Sequence, residues 1–218
     1  LEAAGFDTYL RPTAAFSTLG WFNDPLVSPV LRAGPVDLVN TVIHELFHNT
    51  LYLSGEAAFN ESLANFVGAR GAIDFFCRRD GAEAERCVEA RAAWEDDLLF
   101  GAFLTDVVAE LEALYGRADL VRAQKLAGRE EIFSAAQERF TTEISPRLRV
   151  NTYTSFTSSP LNNATLVSRR LYYHRLDVFE TLFRASGGDL TRTLLEVIDA
   201  ARGAEDPYDA VERRSAAH

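Results

Sequence analysis

The stretch VNTVIHELFHNTLY, Val39 to Tyr52, decides how this chain is read. Val39, Val42, Ile43, Leu46, Phe47 and Leu51 recur at helical spacing, and Gly34, Pro35 and Asp37 mark an entry, so a helix is expected over Asp37 to Leu51. On it, His44 and His48 lie four residues apart, about 40° around the axis and about 6 Å along it. Two imidazoles so placed can converge on one Zn²⁺ at about 2.0–2.1 Å each. Glu45 then points beside the ion, where a carboxylate can take a proton from water. The bland alternative is a pair of core histidines. It is disfavoured, because burying two imidazoles beside a carboxylate without a cation costs several kcal/mol.

A zinc site that does chemistry keeps three protein ligands and an open position. Apart from His44 and His48, the chain has only His174 and His218, so the third ligand is expected to be a carboxylate. Glu56 and Glu61 are the near candidates. Glu56 falls in the turn after "LYLSG", whereas Glu61 lies one turn into the next helix, where an antiparallel return brings it over the histidine face; Glu61 is preferred.

"NESLANFVG", Asn60 to Gly68, makes the pattern specific. H-E-x-x-H followed by such a helix resembles the gluzincin branch of zinc metallopeptidases, which includes thermolysin and the alanyl aminopeptidases. The resemblance implies that Glu61 is the third ligand and that Asn65 hydrogen-bonds a zinc-bound histidine. Two departures stand out: Asn65 occupies a position where thermolysin has Asp, and only twelve residues separate His48 from Glu61. With "AAFSTLGWFNDPL" upstream and "LNNATLVSRRLYY" downstream, the chain resembles the bacterial predicted zinc aminopeptidases from about Gly5 to Phe183. Members of that family often carry a lipoprotein or export signal.

The resemblance further implies an oxyanion donor in "RLYYHR". Tyr172 matches best, with Tyr173 and His174 as the other candidates. Asn162 and Asn163 open that helix as caps, as substrate binders, or as both. "AAFSTLGW" is expected as an edge strand along the cleft, with Gly20 allowing a substrate backbone to come close. Action on free N-termini rests on the resemblance alone. Asp24 and Glu56 are weak candidates for gripping the α-amine, and a zinc endopeptidase or a zinc-bound inactive envelope module are the alternatives.

Composition agrees with a globular chain: 47% hydrophobic and 25% charged residues over 218 positions. The net charge of −10, with dispersed basic side chains, argues against a nucleic-acid partner; a peptide is the expected one. No apolar run reaches the roughly 20 residues that span a bilayer. The oligomeric state is not legible. The chain starts at Leu1 without a Met anywhere, which suggests a missing upstream segment. Cys77 and Cys87 flank a glycine turn between helical patterns. They can bridge, which would fit the periplasm or cell envelope, or remain two cytoplasmic thiols.

The expected fold is α+β and predominantly α-helical: one zincin-like metallopeptidase domain with a small N-terminal β element. Residues 1–34 read as β and loop, 35–80 as the zinc-binding helices, 81–148 as a helical region, 149–202 as C-terminal helices and 203–218 as a fraying tail. Within these, 164–185 reads as one helix and "NTYTSFTSSPLNN" as a loop.

Overall fold

Beyond the short α1 (Ser28–Arg32), Gly34 and Pro35 open α2 (Pro35–Phe47), with proline at the first turn where its fixed φ suits a helix. The computed structural model describes residues 1–10, 28–32 and 34–218. Among them every regular element is helical and there is no strand. The expected strand around Gly20 lies outside the described residues. The flanks of that region, a 3₁₀ turn at Glu2–Ala4 and α1, are not β.

The long elements are α3 (Ala57–Asp80), α4 (Glu85–Gly116) and α5 (Arg122–Arg139). A π turn at Phe140–Ile144 and a 3₁₀ turn at Ser145–Arg147, at Pro146, then end the helical run. Next come α6 (Ser155–Ser158), inside the segment expected as loop, and α7 (Asn163–Tyr173), α8 (Leu176–Ala185), α9 (Leu190–Ala201) and α10 (Pro207–Ser215). No described helix is long and apolar enough to cross a membrane.

Three differences from the sequence reading have clear causes. The helix expected to reach Leu51 ends at Phe47, because Asn49 and Thr50 N–H groups bond back three residues, to Leu46 and Phe47 (3.1 and 2.7 Å). The helix expected over 164–185 breaks after Tyr173, where Arg175 takes φ 47°, and α8 starts afresh at Leu176. The tail does not fray. Asp206 caps α10, and Tyr208 and Val211 are buried against α3, α8 and α9.

α3 is the central helix. Leu63, Phe66, Trp94, Phe179 and Val197 form a core shared by α3, α4, α8 and α9. A second, aromatic core of Phe100, Phe103, Phe140 and Phe156 joins α4 to the segment from α5 to α7. Glu180, buried on α8, ties three helices: it accepts from Arg70 of α3, from Trp94 Nε1 of α4 (3.0 Å) and from Arg184 (2.8 Å). Cys77 and Cys87 are bridged, with Cα atoms 4.8 Å apart, and lock the α3–α4 turn.

Candidate metal centre

The site depends on how closely α2 and α3 approach. Gly68 permits it: a Cβ there would fall 2.7 Å from the Asn40 carbonyl oxygen. The connection is equally tight. Gly55 turns it at φ 89°, and Asn60 clamps it, accepting from Leu53 N–H (2.9 Å) and donating to Leu53 C=O (2.8 Å). Nothing in the sequence pattern singled out Asn60 for this task.

That packing brings His44, His48 and Glu61 together. His44 Nε2 is 3.3 Å from Glu61 Oε2 and His48 Nε2 is 3.7 Å from Glu61 Oε1, while one candidate ligand atom from each residue lies within 4.8 Å of the others. The separations are long for a charge-assisted hydrogen bond, which runs about 2.7–2.9 Å. They match the roughly 3.4 Å between two ligands held at 2.0–2.1 Å from a tetrahedral ion. The group could therefore hold a metal ion. Both imidazoles are buried. Burial, and then the neighbouring His44, hold His48 below the usual histidine pKa, with Glu61 opposing, so the neutral form that ligates is favoured. Glu56 is elsewhere. It stands at the N-cap position of α3, without a side-chain capping bond, and lines a cleft with His174 and Tyr208.

Glu45 is half-buried on the same helix as the two histidines. Of the three residues in Tyr172–His174, Tyr172 is the one beside the group, its ring 6.1 Å from that of His44. Tyr173 packs edge-on against Phe100, and His174 against Tyr208. Asn65 donates to the Tyr172 carbonyl (3.1 Å), tying α3 to the end of α7. That partner is a backbone carbonyl, not the histidine that the resemblance implied.

Asn162 and Asn163 are not brought to the group. They sit at the opposite end of α7, about 14–15 Å along the axis from Tyr172. Asn162 caps the helix through Thr165 N–H (2.8 Å) and donates to Thr8 C=O, and Asn163 accepts from Tyr115 OH (2.8 Å). Gly20 and Asp24 lie outside the described residues.

A polar cavity that sequence reasoning missed begins at Asn40 and Asn65, one helical turn from His44 on α2 and from Glu61 on α3. Asp37, Asn40, Asn65, Asp97, Asn151 and Tyr153 line it. Asp97 Oδ1 accepts from Tyr153 OH (2.5 Å) and Asn151 Nδ2 (3.0 Å), and burial pushes its carboxyl up to about 7. The neighbouring Asp96 accepts from the backbone N–H groups of Arg149, Val150 and Asn151, which holds that segment on α4. No local motif announced the cavity, since its carboxylates are sixty residues apart in the chain.

A helical fold with two histidines and a carboxylate converging between α2 and α3 defines a protein equipped to hold a metal ion. The chain belongs to the family described as "Putative aminopeptidase", whose sequence profile matches residues 1–209. No curated protein and no solved structure matches it. The family membership points to peptidase activity.

Proposed function

We propose that this chain is a zinc-dependent aminopeptidase of the gluzincin type, a single bacterial catalytic domain acting on peptides in the cell envelope. The observation that carries the reading is the convergence of His44, His48 and Glu61, in a chain of an aminopeptidase family. The Cys77–Cys87 bridge supports an oxidising compartment.

His44, His48 and Glu61 would hold the zinc, whose donor set of two imidazoles and a carboxylate suits a catalytic site. When bound, zinc supplies Lewis acidity, acidifying water and polarising a carbonyl. Glu45 takes the proton from the attacking water and hands it to the leaving amine. Tyr172, held beside His44, donates its hydroxyl to the oxyanion that develops on the scissile carbonyl. Asn65, through the Tyr172 carbonyl, keeps the end of α7 against α3 and so fixes where that hydroxyl starts.

The test is metal analysis together with Glu45→Gln. One zinc per chain is expected, retained in the variant, while peptidase turnover falls about 10²–10⁴-fold. Full activity in zinc-loaded Glu45→Gln would sink the mechanism. Cleavage of N-blocked peptides as fast as free-amine ones would make the enzyme an endopeptidase.

A further inference from the structure

The polar cavity and the metal group share the facing stripes of α2 and α3. On α2, Asp37, Asn40, His44 and His48 follow at spacings of three and four, and so do Glu61, Asn65, Ala69 and Ala72 on α3, so each set forms one stripe. His44, His48 and Glu61 stand at one end of the paired stripes, and Asp37, Asn40, Asn65, Ala69 and Ala72, which line the cavity of about 260 Å³, stand toward the other. Asn65 lines both the cavity and the cleft that contains Tyr172. Alanines 69, 72, 90 and 93 keep the walls short, which leaves the space open.

The cavity's charge is one-sided. Asp97 is 8% exposed, and no donor among the described residues reaches its Oδ2. Asp37 also lines the cavity, and among the described residues no Lys or Arg does. A buried carboxylate without a cationic partner is costly, which is why the Asp97 carboxyl is pushed up to about 7. Among the described residues, the metal-capable groups of His, Cys, Asp and Glu do not include Asp37 or Asp97. A cation carried into the cavity would meet Asp97 Oδ2, which no described donor reaches.

We propose that this cavity receives the side chain of the substrate's N-terminal residue and selects lysine or arginine. The proposal rests on the aminopeptidase reading. Reach decides between the two cations of such a substrate. Asn40 is about 6 Å and Asp37 about 10 Å along α2 from His44. The α-ammonium is two bonds, about 2.5 Å, from the scissile carbon and stays near the metal group. A lysine or arginine stem places its charge roughly 6–7 Å beyond Cα, which spans the gap. An uncharged stem would leave Asp97 Oδ2 without a cation, and a glutamate would face two carboxylates.

The test compares arginyl-, lysyl- and norleucyl-coumarin amides in turnover, and L-argininamide with L-norleucinamide in calorimetric binding, on the full chain. A preference of at least about 10-fold for the basic residues is expected, and Asp97→Asn should cut the arginine-to-norleucine ratio by about 30-fold or more. Should Asp97→Asn fail to fold, Asp37→Asn reads the same ratio, with a smaller fall. No basic preference in the wild type, or one that neither variant alters, overturns the proposal. So does equal binding of both amides that weakens equally in the variant, since the pocket would then grip the shared α-ammonium. Absent turnover with Asp97-dependent argininamide binding would keep the pocket and remove the peptidase reading.

Discussion

His44 Nε2 and Glu61 Oε2 stand 3.3 Å apart across the α2–α3 hairpin, a separation that fits two ligands of one ion better than a hydrogen bond. A metal ion bound by this group would stabilise the native state by mass action, about 4 kcal/mol at a thousand times Kd. Chelation should therefore lower the melting temperature by on the order of 10 °C and zinc should restore it. Glu61→Ala should abolish the zinc-dependent shift in a calorimetric scan. A full shift in that variant would place the third ligand elsewhere.

Asn60 makes two reciprocal bonds with the Leu53 backbone and so sets the path from His48 to Glu61. Asn60→Ala is expected to cost about 2 kcal/mol. It should also weaken zinc affinity, because Glu61 is the next residue. Urea unfolding and a competitive zinc titration measure the two effects.

Glu180 is buried and serves Arg70, Arg184 and Trp94 at once. Removing the carboxylate strands the half-buried Arg70 guanidinium, so Glu180→Ala should destabilise by about 3–5 kcal/mol. The double variant Glu180→Leu with Arg70→Met should recover much of that loss. No recovery in the urea midpoint would mean that the network, not the stranded charge, carries the cost.

The Cys77–Cys87 bridge closes a loop of sequence separation 10. Chain entropy puts its contribution at about 2–3 kcal/mol. Reduction, or Cys77→Ser with Cys87→Ser, should lower the melting temperature by roughly 5–10 °C, read by circular dichroism.

Asp97, with its carboxyl raised to about 7, holds a proton in the folded state that the unfolded chain has lost above its ordinary value of 3.8. The folded state thus binds more protons in that interval, and the stability they confer is present at low pH and disappears as pH rises through about 7. His174, lowered to about 4 chiefly by burial, acts in the opposite direction below 6.5. The clean window is therefore pH 6.5 to 8. Across it the chelated wild type should lose about 1 kcal/mol, about 2–4 °C, that chelated Asp97→Asn keeps. Parallel melting curves in the two proteins would assign that slope to other groups.

Much of the metal group was legible because its parts are local. His44, Glu45 and His48 share one helical turn, and Glu61 follows after a short return, so spacing alone brought them near one another. Periodicity likewise reads as helical over 35–80, where α2 and α3 lie, and over 81–148, where α4 and α5 lie. The tail was misread because Tyr208 and Val211 look like sparse apolar residues in a charged segment; their burial against α3, α8 and α9 is a long-range event. The broken helix was missed because Arg175 takes a left-handed conformation that no residue in "YYHRL" announces.

The sequence by itself determined a mostly helical chain, the two histidines with their glutamate, and the choice of Glu61 over Glu56. Only the tertiary structure decided that Asn60 clamps the connection, that Asn162 and Asn163 stand far from the metal group, and that Asp37 and Asp97 share a cavity. The difference is physical. Residues a turn apart on a helix are placed by the helix's own geometry, whereas residues sixty apart meet only because the packed faces of α2, α3 and α4 bury enough apolar surface to bring them together.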